Sequence, residues 1–184
     1  MTKSEPWYFH AGLYLVIIIL ALILIKVAII DPKAEVEMQQ YYKNETHLRM
    51  DNLKQGEILW QAKFGKFTDN LDSLVHFIKT DPTVDSAIHG FDTLSNRPTN
   101  PFVNLSSGSF IPESLYFSPR THRKFILEVD STTAMDTVIN RSGKITRIDT
   151  TTTIGNLYYL EDPDGNGTIG STTDEALKNT ASWQ

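Results

Sequence analysis

Residues 11–30 read AGLYLVIIILALILIKVAII, twenty positions with Lys26 as the only charge. A helix rises about 1.5 Å per residue, so this run covers the roughly 30 Å hydrocarbon core of a bilayer. Trp7, Tyr8 and Phe9 precede it, where aromatic rings form a belt at headgroup level. Lys26 lies about one turn from the far end, close enough for its ammonium to snorkel to the interface; the alternative is an intramembrane partner for a carboxylate. The run is longer than the apolar region of a cleaved signal peptide, and no small-x-small site follows it; Asp31, Pro32 and Lys33 come next. The stretch therefore reads as an uncleaved signal anchor.

Basic residues on the two sides of the span are too evenly placed to orient it by charge: Lys3 lies before, Lys33 and Lys43 after. The short residues 1–10 read as a retained tail. Residues beyond 30 are placed outside the cytoplasm, periplasmic or extracellular, where a Thr-, Asn- and Asp-rich domain is at home.

Over its 184 residues the chain carries 22 acidic against 17 basic side chains, a formal charge of −5, and no cysteine. The acidic balance argues against nucleic acid as a partner, because that binding requires a basic face to displace counterions. Without cysteine there is no disulfide framework, thiolate metal site or cysteine nucleophile. Only Lys3, Glu5 and Lys26 lie before residue 31, so the remainder is the acidic part, and it is large enough to bury a core.

Residues 32–64 predict one long helix, with Asp31 as N-cap and Pro32 at the first helical position. Met50, Leu53, Trp60 and Phe64 share one face, interrupted by Glu57, and Gly65 stops the helix. Fully helical, this spine extends about 50 Å. Its first half, with Val36, Met38, Tyr41 and Tyr42, is less clearly striped and reads as a free stalk or a partner-facing surface. Thr68 or Asp69 is expected to cap a short helix with Leu71, Leu74, Val75 and Ile78 on its apolar face, ended by Asp81-Pro82. Residues 82–112, rich in Pro, Asn, Ser and Gly, read as an irregular connection. The last third predicts strands at 114–117, 124–130, 137–140, 144–150 and 154–161, with 141–143 as a three-residue hairpin loop. The expected fold class is α+β: a single N-terminal transmembrane helix continuing into a long amphipathic helix packed on a small antiparallel sheet. Its parts are a tail (1–10), the span (11–30), a helical stalk or spine (31–64) and an exported α+β domain (65–184).

This order of parts resembles the type IV pilin and pseudopilin superfamily. The resemblance is carried by Arg49-Met50-Asp51-Asn52-Leu53, Gly65-Lys66-Phe67-Thr68 and Leu71-Asp72-Ser73-Leu74. It implies a pilin-like domain and an envelope assembly role. Two features of the family pattern are missing. Tyr8, not glycine, precedes Phe9, and the fifth position counted from Phe9 is Leu13 rather than glutamate. The likeness therefore concerns the fold more than membership of a standard polymerising pilus.

The sharpest local motif is Asp162-Pro163-Asp164-Gly165-Asn166-Gly167-Thr168. It fits the opening of a D-x-[DN]-x-[DN]-G calcium loop, with side-chain oxygens from Asp162, Asp164 and Asn166 and a carbonyl from Thr168. The twelfth position is Thr173, so Asp174 would have to supply an offset acidic ligand. A plain turn explains the same residue types. His10, His47, His76, His89 and His122 show no paired ligand spacing. The basic run 120–124 reads as an edge guard before a strand or, less simply, as an anion site. Four N-x-[ST] sequons, at Asn44, Asn104, Asn140 and Asn166, are what a Thr- and Asn-rich chain produces by chance. Trp183 is expected to pack back on its own domain, or else to anchor a partner.

No nucleophile, base and orienting group can be recognised together, so the chain reads as non-enzymatic. The sequence predicts a membrane-anchored structural or assembly protein. Its partners would be the lipid bilayer and either other proteins or further copies, met through the span and stalk. The alternative is a single-pass accessory subunit of a larger envelope or secretion complex, with calcium as a possible stabiliser.

Overall fold

A computed structural model describes residues 7–94, 96–106, 108–140, 142 and 144–184. The chain is mixed α+β, and its contacts divide it into two units, Met1–Tyr42 and Lys43–Gln184. The division falls inside the helix that the sequence reads as one spine.

The first unit is helical. Helix α1 (Trp7–Ile25) buries none of its residues. Asp31, expected as the N-cap of a helix starting at Pro32, is itself helical and starts no new helix. The chain instead makes one π-helical turn, Lys26–Ile30, closed by the Asp31 amide donating to the Lys26 carbonyl, and runs on into α2 (Asp31–Phe64). A proline within a helix removes one donor and crowds the carbonyl four residues back. One widened turn just before Pro32 accommodates both effects without ending the helix.

The second unit begins within α2. The sequence places Met50 and Leu53 in the core, and both are fully buried, with Trp60 packed against the same cluster. Phe64, expected on that face, is half exposed. Gly65 stops the helix as expected, taking φ +75° while its amide bonds the Gln61 carbonyl at 2.8 Å. Helix α3 (Leu71–Thr80) buries Leu71, Leu74, Val75, Phe77 and Ile78. Its N-cap is Asn70 rather than Thr68 or Asp69: Asn70 Oδ1 accepts from the Ser73 amide at 2.9 Å. Asp81 then ends α3 and caps α4 (Pro82–His89), its carboxylate accepting from the Thr83 amide. That helix corrects the reading of 82–112 as irregular. Proline at its first position needs no amide partner, and Val84 supplies a buried anchor. The ladder β1 (Phe91–Asp92) to β2 (Arg97–Pro98) follows.

The expected strand at 114–117 is a 3₁₀ turn, Pro112–Tyr116, in which Ser114 bonds the Ile111 carbonyl through both its amide and its hydroxyl. Pro112 presets that turn, and Leu115 is buried beneath it. The β-rich last third resolves into two long strands where several short ones were expected. Strand β3 (Ile126–Ile139) pairs antiparallel with β4 (Ile145–Glu161), and β5 (Thr168–Gly170) pairs with the end of β4. Of the hairpin loop at 141–143, Arg141 and Gly143 lie outside the described residues, as do the first six positions of the tail.

The root of the hairpin belongs to the core: Leu127, Tyr158, Leu160 and Ile169 are buried, and the Phe67 and Tyr158 rings meet at 4.6 Å. Further out, Met135, Ile145, Ile148 and Ile154 are exposed. Between Val129 and Ser131 the register shifts, so that Asp130 faces Gly155, Asn156 and Leu157 together. Gly155 takes φ +81°, and a Cβ there would stand 2.7 Å from the Phe67 carbonyl oxygen. Only glycine fits where the bulge meets the turn after α2.

Candidate functional site

Helix α2 has a buried face of mixed chemistry. Glu45, Thr46, Asn52 and Glu57 are buried alongside Met50 and Leu53. Each polar group except Thr46 grips a backbone that would otherwise lack partners. Asn52 is bidentate to Val103: its Nδ2 donates to the carbonyl at 2.9 Å, and its Oδ1 accepts from the amide at 2.8 Å. Glu45 accepts from the Ser106 amide at 2.9 Å and from Arg49 Nε at 3.1 Å. Arg49 in turn donates to the carbonyls of Ser114 and Phe117 at 3.0 and 2.7 Å. Residues 45, 49 and 52 recur at helical spacing, so one stripe of α2 holds the long connection between β2 and β3.

Sequence reasoning treated Glu57 as an interruption and did not single out Glu45 or Asn52. The signal was positional. Glu45, Thr46, Asn52 and Glu57 keep the 3.6-residue period of Met50 and Leu53, which a reading by hydrophobicity alone passes over. Glu57 Oε2 accepts from the Thr68 amide at 3.2 Å, while Oε1 is buried with no hydrogen-bond partner. Burial, opposed by that bond and assisted by the charge of Asp69, pushes the Glu57 pKa up to about 8. The Tyr158 hydroxyl, also buried without a partner, is raised by burial and by the charges of Glu57 and Asp51.

The loop at 162–170 forms a second polar cluster. Asp162 Oδ2 accepts from the amide of Asn166 at 3.1 Å and from its Nδ2 at 2.7 Å. Its Oδ1 is buried and unpartnered. Asp164 turns outward from the loop. It accepts from Ser118 Oγ at 2.5 Å, from Thr121 through the amide (3.2 Å) and hydroxyl (2.6 Å), and from Arg123 at 3.4 Å. Burial would raise the Asp164 pKa, but these donors outweigh it and hold the carboxyl below the ordinary range. Arg123 also donates to the Pro163 carbonyl.

Of the five expected calcium ligands, Asp162 and Asn166 are joined to each other, and Asp164 is engaged with residues 118–123. Thr168 lies in β5, and Asp174 caps a 3₁₀ turn by accepting from the Ala176 amide. Among the described residues, no three histidine or acidic side chains gather at metal-binding spacing. Within the basic run, Arg123 ties down the loop and Lys124 pairs with Asp72 at 2.9 Å. Trp183 packs on its own domain, stacked on His47 with ring centroids 3.9 Å apart, and His47 Nε2 donates to the Asn166 carbonyl at 2.8 Å. The tail is held there by the Ile169–Ala181 bridge and by the Ser182 amide on the Thr168 carbonyl. No family model, curated protein or solved structure matches the chain.

Proposed function

We propose that this chain is a membrane-anchored, non-enzymatic protein of the cell envelope. Its pilin-like α+β domain lies outside the cytoplasm and serves structure or assembly. One observation carries the reading: from Trp7 to Ile30 the chain is helical, almost wholly apolar, and exposed at every residue. Each exposed Å² of such surface costs about 25 cal/mol in water, a cost that disappears in lipid. A helix satisfies all its backbone groups internally, which a membrane requires of anything that spans it. The pilin-like reading has in its favour a long N-terminal helix, part of whose α2 belongs to a small antiparallel unit, and the role of Arg49 and Asn52 in holding that unit's loops.

Fractionation tests the anchor. The full-length product should stay in the pellet through an alkaline carbonate wash and enter solution only with detergent, with protease added from outside digesting residues beyond 43. An aqueous-soluble full-length product, or a mature chain beginning after residue 30, overturns the reading. Self-assembly and service as an accessory subunit are separated by a cysteine at Leu15, unique in a cysteine-free chain. A disulfide-linked homodimer supports the first, and a crosslink to a different protein the second.

A second reading, a calcium-stabilised loop, is favoured by the buried, unpartnered Oδ1 of Asp162. It requires Asp164 to leave Ser118, Thr121 and Arg123. Calcium should then raise the melting temperature relative to chelator, and Asp162→Asn should abolish the difference. Identical melts retire it.

A further inference from the structure

The register shift at Asp130 opens a cleft of about 370 Å³ lined by Gln61, Asp130, Thr132, Asn156, Glu175 and Lys178, with Leu157 as its apolar member. We propose that this cleft binds a neutral polyhydroxylated molecule of the saccharide class. The proposal stands independently of the membrane anchor.

The cleft is built by the fold. Asp130 sits inside the bulge, 7% exposed, with Oδ1 accepting from the Leu157 amide at 2.7 Å and Oδ2 from the Thr132 hydroxyl at 3.4 Å. It thereby holds three residues of β4 open against one of β3. The opposite side of the bulge is fixed by the Phe67 amide on the Gly155 carbonyl at 2.7 Å. Lys178, at the end of the 3₁₀ turn Glu175–Leu177, lies over the Phe67 ring with Nζ 5.0 Å from its centroid. Elements distant in sequence thus converge: α2 through Gln61, the hairpin root through Asp130, Thr132 and Asn156, and the tail through Glu175 and Lys178.

The lining selects the class of ligand. Its volume lies at the lower end of small-molecule sites, roughly 300–1,000 Å³. The wall is polar, with no aromatic face open to it, so an apolar ligand would gain little by entering. Two carboxylates oppose an anion. The Lys178 ammonium offsets one of those charges, and Asp130 already engages both oxygens with the Leu157 amide and the Thr132 hydroxyl, so no free carboxylate pair is left to hold a cation. What remains complementary is a molecule whose groups each donate and accept. Vicinal hydroxyls do this, meeting planar amides and carboxylates in pairs and an ammonium as a donor.

The test uses full-length protein in lauryldimethylamine oxide, a detergent without a sugar headgroup. It is titrated with glucose, galactose, N-acetylglucosamine and a chitooligosaccharide up to tens of millimolar, with glutamate and inorganic phosphate as charged controls. Amide NMR shifts are the readout. At least one sugar should shift Asn156, Leu157 and Lys178 saturably. Asn156→Ala and Lys178→Met should each weaken it about tenfold while leaving the domain folded. Absence of a shift with every sugar, equal or tighter binding of glutamate or phosphate, or unaltered binding by both variants overturns the proposal.

Discussion

Within α1 and α2, residues near the N-terminus and residues past position 43 reverse the usual relation between polarity and burial. Leu20 and Leu24 are 59% and 66% exposed, whereas Glu45 is 1% exposed and Asn52 fully buried. The helical backbone is common to both stretches, so the contrast lies in what surrounds the side chains. Every residue of the apolar stretch from Trp7 to Ile30 is exposed, which is compatible with a lipid solvent. The polar stretch is covered by loops whose backbone amides and carbonyls need partners, and Glu45, Arg49 and Asn52 supply them. A buried polar residue of this kind contributes by satisfying someone else's hydrogen bonds, and removing it strands them.

The sharpest test of that contrast is a matched pair of truncations. Leu53→Ala empties a fully buried site and should cost about 2–5 kcal/mol of domain stability, read by denaturant unfolding of detergent-solubilised protein. Leu20→Ala should leave that unfolding curve unmoved. Equal losses in both would mean that α1 is part of the domain core, which would break the comparison.

The next effect concerns Glu57. Its pKa of about 8 in the folded chain lies above the ordinary 4.5. Between those two values the unfolded chain has released a proton that the folded chain keeps. Stability therefore falls as pH rises through that window and levels off above it. Glu57→Gln keeps an acceptor for the Thr68 amide and removes the titration. Its gain over wild type should grow from nearly nothing at pH 4 to something on the order of 5 kcal/mol at pH 9. Parallel pH profiles for the two proteins would show that Glu57 is ionised in the fold.

The smallest effect is expected at the loop. Asp164→Asn removes charge from the Ser118, Thr121 and Arg123 bonds and should cost about 1–2 kcal/mol at neutral pH. Because the Asp164 carboxyl is held below its ordinary pKa, its contribution is present above the unfolded value and is lost as pH falls through the folded one. The variant and wild type should therefore converge in acid. A difference that persists at low pH would assign the loss to shape rather than charge.

How much was legible follows from which interactions are local. Gly65 after an apolar stripe, Asp81-Pro82 after another, and the alternation of Phe125, Leu127 and Val129 each announce an element through neighbours a few residues away. Helix α4 escaped notice because its core-facing residues, Val84 and Ile88, make a stripe of only one turn. The turn at Pro112–Tyr116 was mistaken for a strand because Leu-Tyr-Phe satisfies both patterns over so short a run. At the loop, the motif announced a cation site from residue types alone. The residues that engage Asp164 lie more than forty positions away, at 118–123, where no local pattern points to them.

From its order of residues alone, the chain determined an apolar helix of bilayer length, an acidic α+β remainder and the main helix ends, because periodicity and capping act over a few residues. Only the tertiary structure decided that α2 passes through Pro32 by one widened turn and that Glu45, Asn52 and Glu57 face inward. It also decided that Asp130 opens a bulge and that Trp183 returns to His47. Those outcomes depend on which distant backbone groups lack partners once the chain is compact, and that is known only when all of it is in place.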